Sequence, residues 1–253
     1  MTVDDFKKAY QTSDKIQEIA SLLQEADQKI QLKGLLGSSA AVMADAIIKN
    51  RSGNHLFILG EKEEAAFFLN DLENLNKTAS NILFFPHSYK RPYQLESTDN
   101  ASVVARAEVL ERINRGNPVT IVTYPEALSE KIVTKKQFAE KILEIKKGVE
   151  YSVDFINELL IEYEFETVDF VYESGEFAVR GGIIDIFSFS NDMPYRVEFF
   201  GDEVDSIRTF NPVNQLSVKT MSRLTVVPNI QKHITEEVRE DLIKFLPSQT
   251  NIW

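Results

Sequence analysis

Apolar residues in the first half of the chain recur at helical spacing, interrupted by short runs rich in apolar residues. Residues 4–29 carry Phe6, Tyr10, Ile16, Ile19, Ala20 and Leu23 in that rhythm. This predicts two short helices, with Ser13 or Asp14 capping the second. Residues 29–36 (KIQLKGLL) read as a strand running into Gly37-Ser38-Ser39 and a helix over 40–50. Further strands are predicted at 55–60, 82–86 and 118–124, and further helices at 62–75 and 101–114. Four strands alternating with helices point to an α/β fold whose parallel sheet is covered on both faces.

Past Glu126 the rhythm changes. A helix is predicted over 152–164, where Asp154 and Glu158 sit near the end that the helix dipole makes favourable for anions. Residues 177–210 then read as three strands, at 177–189, 195–200 and 204–210, the last two joined by a tight Gly201-Asp202-Glu203 turn. Short β-rich runs separated by polar and glycine breaks predict an antiparallel meander. One more strand, broken at Pro228, is predicted over 217–229, and a helix over 234–246.

Five charges interrupt the apolar runs of the meander: Arg180, Asp185, Arg196, Glu198 and Arg208. Two readings are open. Cross-strand ion pairs on a solvated face contribute a few tenths to about 1 kcal/mol each. Alternatively, the face is built for a partner, with arginines as anchors.

Composition narrows the chemistry. The 253 residues carry a net charge of −11 and no cysteine. Disulfides, a zinc finger and a thiol nucleophile are thereby excluded. An acidic chain without a strong basic patch repels phosphate, so a protein partner is expected rather than duplex DNA. No apolar run approaches the roughly 18 residues that span a bilayer, and the N-terminus lacks the apolar core of a secretory signal. A soluble cytoplasmic protein without membrane contact is the expectation.

The strand, glycine loop and helix around Gly34, Gly37, Ser38 and Ser39 form the setting of a phosphate-binding loop. The nucleotide-binding pattern needs G-x-x-x-x-G-K-[ST], in which backbone N–H groups wrap the phosphates, the lysine meets them and the hydroxyl holds Mg²⁺. Here the run from Gly34 to Ala41 places Ser39 at the second glycine, Ala40 at the lysine and Ala41 at the hydroxyl. A plain strand-to-helix turn is expected, although a helix N-terminus still offers N–H groups to an anion.

No other catalytic constellation is legible. His55, His87 and His233 lack metal-binding spacing. Residues 199–203 imitate the apolar-run-then-acid ending of a nucleotidase strand, but Gly201 ahead of the acids suits a hairpin better. Residues 130–148 contain Lys131, Lys135, Lys136, Lys141, Lys146 and Lys147, whereas 149–176 contain nine acids and no base. This reversal reads either as solvated faces or as a dipolar surface that orients a partner.

The runs FAVRGGIIDIF and PYRVEFFGDEVDSIRTFNP resemble the second domain of the bacterial transcription-repair coupling factors, and that domain has a close relative in the excision-repair protein UvrB. The loop at 34–41 is similar too, since the family has a UvrB-like N-terminal module that has lost its ATP site. The resemblance implies a degenerate P-loop, helicase-like parallel-sheet domain with an inserted α+β domain containing an antiparallel sheet. It implies the helicase-like domain at 1–126, a UvrA-binding domain at 127–212, and at 213–253 the start of a segment returning to the first.

Function follows by the same route: a non-catalytic module that recruits UvrA, with Arg180 and Arg196 at positions where the family's arginines contact it. UvrB-type sequences carry a further arginine where Ala178 stands here. The chain is expected to be a piece of a longer protein, without a cofactor of its own. ATP and Mg²⁺ would serve a DNA translocase elsewhere in that protein, and RNA polymerase and DNA would be met through other domains. The alternatives are a UvrB-like, nucleotide-dependent repair ATPase and a direct nucleic-acid binder using the lysines of 131–147.

Overall fold

The computed structural model describes residues 3–25, 28–76, 81–88, 100–230 and 239–253. They fall into two compact units. The first comprises Met1–His87, Arg115–Glu130 and Asp241–Trp253, the second Ser88–Asn114 and Lys131–Glu240. The fold is mixed α/β, with one parallel and one larger, mainly antiparallel sheet.

In the first unit four parallel strands lie in the order Thr250–Ile252, Asn54–Ile58, Thr120–Thr123, Ile82–Phe84. Leu56, Phe57, Ile121 and Val122 are all buried, as a sheet covered on both faces requires. The helix Lys62–Leu75 between two of the strands buries Ala65, Phe68 and Leu72, a spacing that keeps one stripe inward. Helices Val3–Gln11 and Asp14–Leu22 precede the sheet, and the Ser13 hydroxyl caps the second by accepting from the Ile16 N–H at 3.4 Å.

The predicted strand at 29–36 is not one. Residues 28–36 run without ladder, turn or bend, and Ile30 and Leu32 pack against a cluster of Ile16, Ile19, Ala46 and Ile47. Gly34, at a φ of +83°, leaves the β region just where a strand would have to continue. The fourth place in the sheet is taken by Thr250–Ile252, pairing from the far end of the sequence.

Beside that strand, His55 is fully buried, and its ring lies between two partners. Nε2 is 3.1 Å from the Arg51 carbonyl, and the Trp253 indole Nε1–H donates to Nδ1 at 3.3 Å. Both contacts suit a neutral ring, and burial lowers the His55 pKa below its ordinary value of about 6.5. As pH falls, the unfolded chain therefore takes up this proton first. The stabilisation is complete above about pH 6.5 and is lost as pH drops through the lowered folded-state value. Thermal melts from about pH 7 down to about pH 5.5 should show this fall, with a shallower slope in His55→Gln.

The second unit is organised by a six-stranded sheet in the order Ser217–Met221, Glu203–Phe210, Tyr195–Phe200, Ile183–Ile186, Glu176–Arg180, Glu166–Thr167. Five consecutive strands form the antiparallel meander, and Glu166–Thr167 adds a parallel edge. The run 177–189, expected as one strand, is two strands folded at Gly181-Gly182. Gly181 adopts a φ of +59°, and a Cβ on Gly182 would lie 3.0 Å from the Phe199 carbonyl oxygen. The run 217–229 is also two strands in different sheets, because Arg223–Val226 pairs with Leu143–Lys146.

Helix Val153–Glu162 starts at Ser152, whose hydroxyl accepts from the Phe155 N–H at 3.3 Å. It ends where Glu164 takes a φ of +57°. There the Phe165 N–H bonds back to the Leu160 carbonyl at 3.0 Å and the Glu164 N–H to that of Ile161 at 2.9 Å. Of the helix expected over 234–246, residues 234–238 lie outside the described residues, as does His233. The described remainder forms the short strand Arg239–Glu240, paired with Ile132–Val133, and the helix Leu242–Phe245.

Candidate partner-binding face

The meander has two unlike faces because successive side chains of a strand alternate. Phe177, Ile184, Ile186, Tyr195, Val197, Val204 and Ile207 are buried. Along Tyr195–Phe200, Arg196, Glu198 and Phe200 occupy the opposite face. Ladder register then brings the predicted arginines together. Asp185 stands directly opposite both Arg196 and Ala178, and Arg196 stands opposite Arg208.

Asp185 is the hub. Its carboxylate is 0% exposed and accepts from Arg196 in two parallel bonds, Nε to Oδ1 at 2.7 Å and Nη2 to Oδ2 at 2.7 Å. This fork-to-fork geometry is the strongest form of the pair. Arg196 also donates to the Gln215 Oε1 at 3.1 Å, and its guanidinium carbon lies 4.4 Å from the centre of the Phe210 ring. Hydrogen bonding to Asp185 raises the Arg196 pKa against the opposing effect of burial. Only 17% of its side chain meets solvent.

Arg180 is held more loosely. It donates to Asp185 Oδ2 through one Nη and to the Asp169 carbonyl through the other at 2.6 Å. Its side chain is 38% exposed. The guanidinium lies over the Phe170 ring, 5.5 Å from its centre, and that ring is itself 53% exposed. Two guanidiniums thus share one carboxylate. Nearby, Glu198 accepts from Arg208 and from the Ser206 hydroxyl, the latter at 2.7 Å, closing a neutral cluster.

Ala178 explains its own departure from the UvrB-type pattern. It is buried in a cluster with Val171, Phe187 and Phe210, where an arginine has no room and no solvent. The run carrying Val171 covers that end of the face. Among the open residues are Arg180 with Phe170 and, at the meander's corner, Phe200, which is 86% exposed. Sequence reasoning gave no role to Phe170 or Phe200. A signal for Phe200 was present: it is apolar at a position whose alternation places it with Arg196 and Glu198.

The predicted phosphate loop folds as a tight turn at the start of helix Ser39–Asn50. Gly37 has a φ of +54°, and a Cβ on it would meet no atom within 4 Å, so backbone conformation rather than crowding selects glycine there. The Leu36 N–H donates to the Ser39 hydroxyl at 2.7 Å, the Ser39 N–H returns to the Leu36 carbonyl at 3.2 Å, and Ser38 makes no side-chain cap. The hydroxyl at Ser39 thus serves the turn, and Ala41 points into the interior.

The lysines of 131–147 are spread over several elements. Lys136 and Lys146 lie beside Glu140 and Glu144 at 3.9 and 2.9 Å. Among the described residues, no group of acids and histidines has metal-binding geometry, and no helix is long and apolar enough to cross a membrane.

Residues 143–231, which include the whole meander, match the UvrB interaction domain. The chain is 27% identical over 226 residues to the transcription-repair-coupling factor of Bacillus subtilis (strain 168), covering 89% of this chain and 19% of that protein. It is 32% identical over 178 residues to that of Rickettsia prowazekii (strain Madrid E), covering 69% and 16%. With that of Escherichia coli (strain K12) it shares 23% over 204 residues, covering 81% and 18%. The chain therefore spans less than a fifth of the length of these relatives. It is a homologue of part of the transcription-repair-coupling factors and carries a UvrB interaction domain at residues 143–231.

Proposed function

We propose that this chain is a non-catalytic adaptor that recruits UvrA to transcription-coupled excision repair through the Arg180 face of its UvrB interaction domain. The observation that carries the reading is the paired, pre-positioned Arg180 and Arg196 within residues 143–231, with exposed aromatic rings beside them. Arginine and aromatic residues are the groups most enriched at binding hot spots. The first unit is read as a helicase-like domain whose phosphate loop no longer serves ATP. Ala40 and Ala41 supply neither the cation nor the hydroxyl that the chemistry needs, and Ser39 is engaged in its own turn. ATP-driven translocation on DNA and contact with RNA polymerase would belong to other parts of the longer relatives' architecture.

Co-elution of the purified chain with UvrA in size-exclusion chromatography tests the proposal. A shared peak is the expected result, and separate peaks at micromolar concentration would overturn it. The rival, a UvrB-like ATPase, is tested alongside. No ATP turnover above buffer is expected from the chain, and Ser39→Ala should change nothing. Turnover abolished by that substitution would establish the ATPase instead.

A further inference from the structure

The apolar segment at 29–36 was expected to sit inside a sheet, yet it has no strand beside it. Among the described residues, the backbone groups of residues 29–35 make no hydrogen bond. The segment nevertheless keeps the alternation of a strand: Lys29, Gln31 and Lys33 are exposed, while Ile30 and Leu32 are half-buried against the helices. Over residues 29–33, before Gly34 leaves the β region, a run of this kind offers roughly 16 Å of unpaired edge, and such an edge is a template for another chain.

Beside it lies a cavity of about 610 Å³ in the first unit, lined on one side by Gln31, Leu32 and Leu35 and on the other by Phe6, Tyr10 and Ile16. Lys15 and Lys33 also line it, with no carboxylate among its lining residues. In a chain of net charge −11, this is a local basic margin around an apolar floor.

We propose that this groove receives an extended acidic segment of a partner protein, added as a strand along residues 29–33, up to the point where Gly34 turns out of the β region. The unpaired backbone selects an extended occupant over a helix, because an extended segment can complete the missing ladder. Alternating apolar side chains would fill the floor, and acidic side chains between them would meet Lys29 and Lys33. A second copy of this segment is disfavoured, since it would set lysine near lysine.

The test uses the 253-residue chain and two capped seven-residue peptides, Val-Glu-Val-Glu-Val-Glu-Val and its lysine counterpart. The glutamate peptide should bind saturably and slow hydrogen exchange at amides within residues 29–33, and the lysine peptide should bind at least tenfold more weakly. Lys33→Glu, at an exposed position, should leave the melting temperature unchanged and narrow the preference between the peptides severalfold. Equal affinity for both, unchanged exchange at 29–33 under saturating peptide, or no binding at millimolar peptide would overturn the proposal.

Discussion

Replacing Arg196 with alanine is expected to destabilise the second unit by about 3 kcal/mol, near the low end of the 3–5 kcal/mol range for breaking a buried ion pair. Asp185 is wholly buried and would lose both parallel bonds from Arg196, retaining only the contact from Arg180. The retained contact keeps the expected cost from being larger. Loss of the packing between Arg196 and the Phe210 ring adds to it. At about 2–4 °C per kcal/mol for a chain of this size, the melting temperature should fall by about 6–12 °C. A double-mutant cycle with Asp185→Ala checks the cause. If the hub dominates, the double variant should be clearly more stable than the sum of the single effects predicts, because no buried charge is left alone. Additive losses would show that Arg196 acts by packing only.

Arg180→Ala should behave in the opposite way. Arg180 is the more exposed arginine of the pair, and its removal leaves Asp185 satisfied by the two bonds from Arg196. Folding stability should change by less than about 1 kcal/mol, as for other partly exposed ion pairs. If Arg180 anchors UvrA, its truncation costs about 2 kcal/mol of binding, or about 30-fold in Kd. The two arginines that look equivalent in sequence therefore differ in kind: Arg196 holds the face together and Arg180 presents it. Arg196→Ala would also weaken binding, but with a stability loss that Arg180→Ala lacks.

Much of this architecture was legible in the sequence because local chemistry specified it. Ser13 and Ser152 begin the helices they were positioned to cap, and Gly201-Asp202 turns the chain between strands that alternate as expected. The features that escaped are those decided far from where they appear. A run such as 29–36 carries strand-like alternation whether or not a neighbour pairs with it, and the fourth strand of the sheet is instead Thr250–Ile252. The fold at Gly181-Gly182 was hidden by the apolar residues on either side. Arg180, Asp185 and Arg196 were each visible as charges in apolar runs. Their union on one carboxylate depends on the register between strands, which is a property of the folded sheet.

Calorimetric titration of UvrA with the chain and with Arg180→Ala shows whether the open arginine of this face docks UvrA. Saturable binding is expected of the wild-type chain, with binding at least tenfold weaker in a variant that melts at the same temperature. Equal affinity in both proteins would contradict it and place the UvrA contact elsewhere.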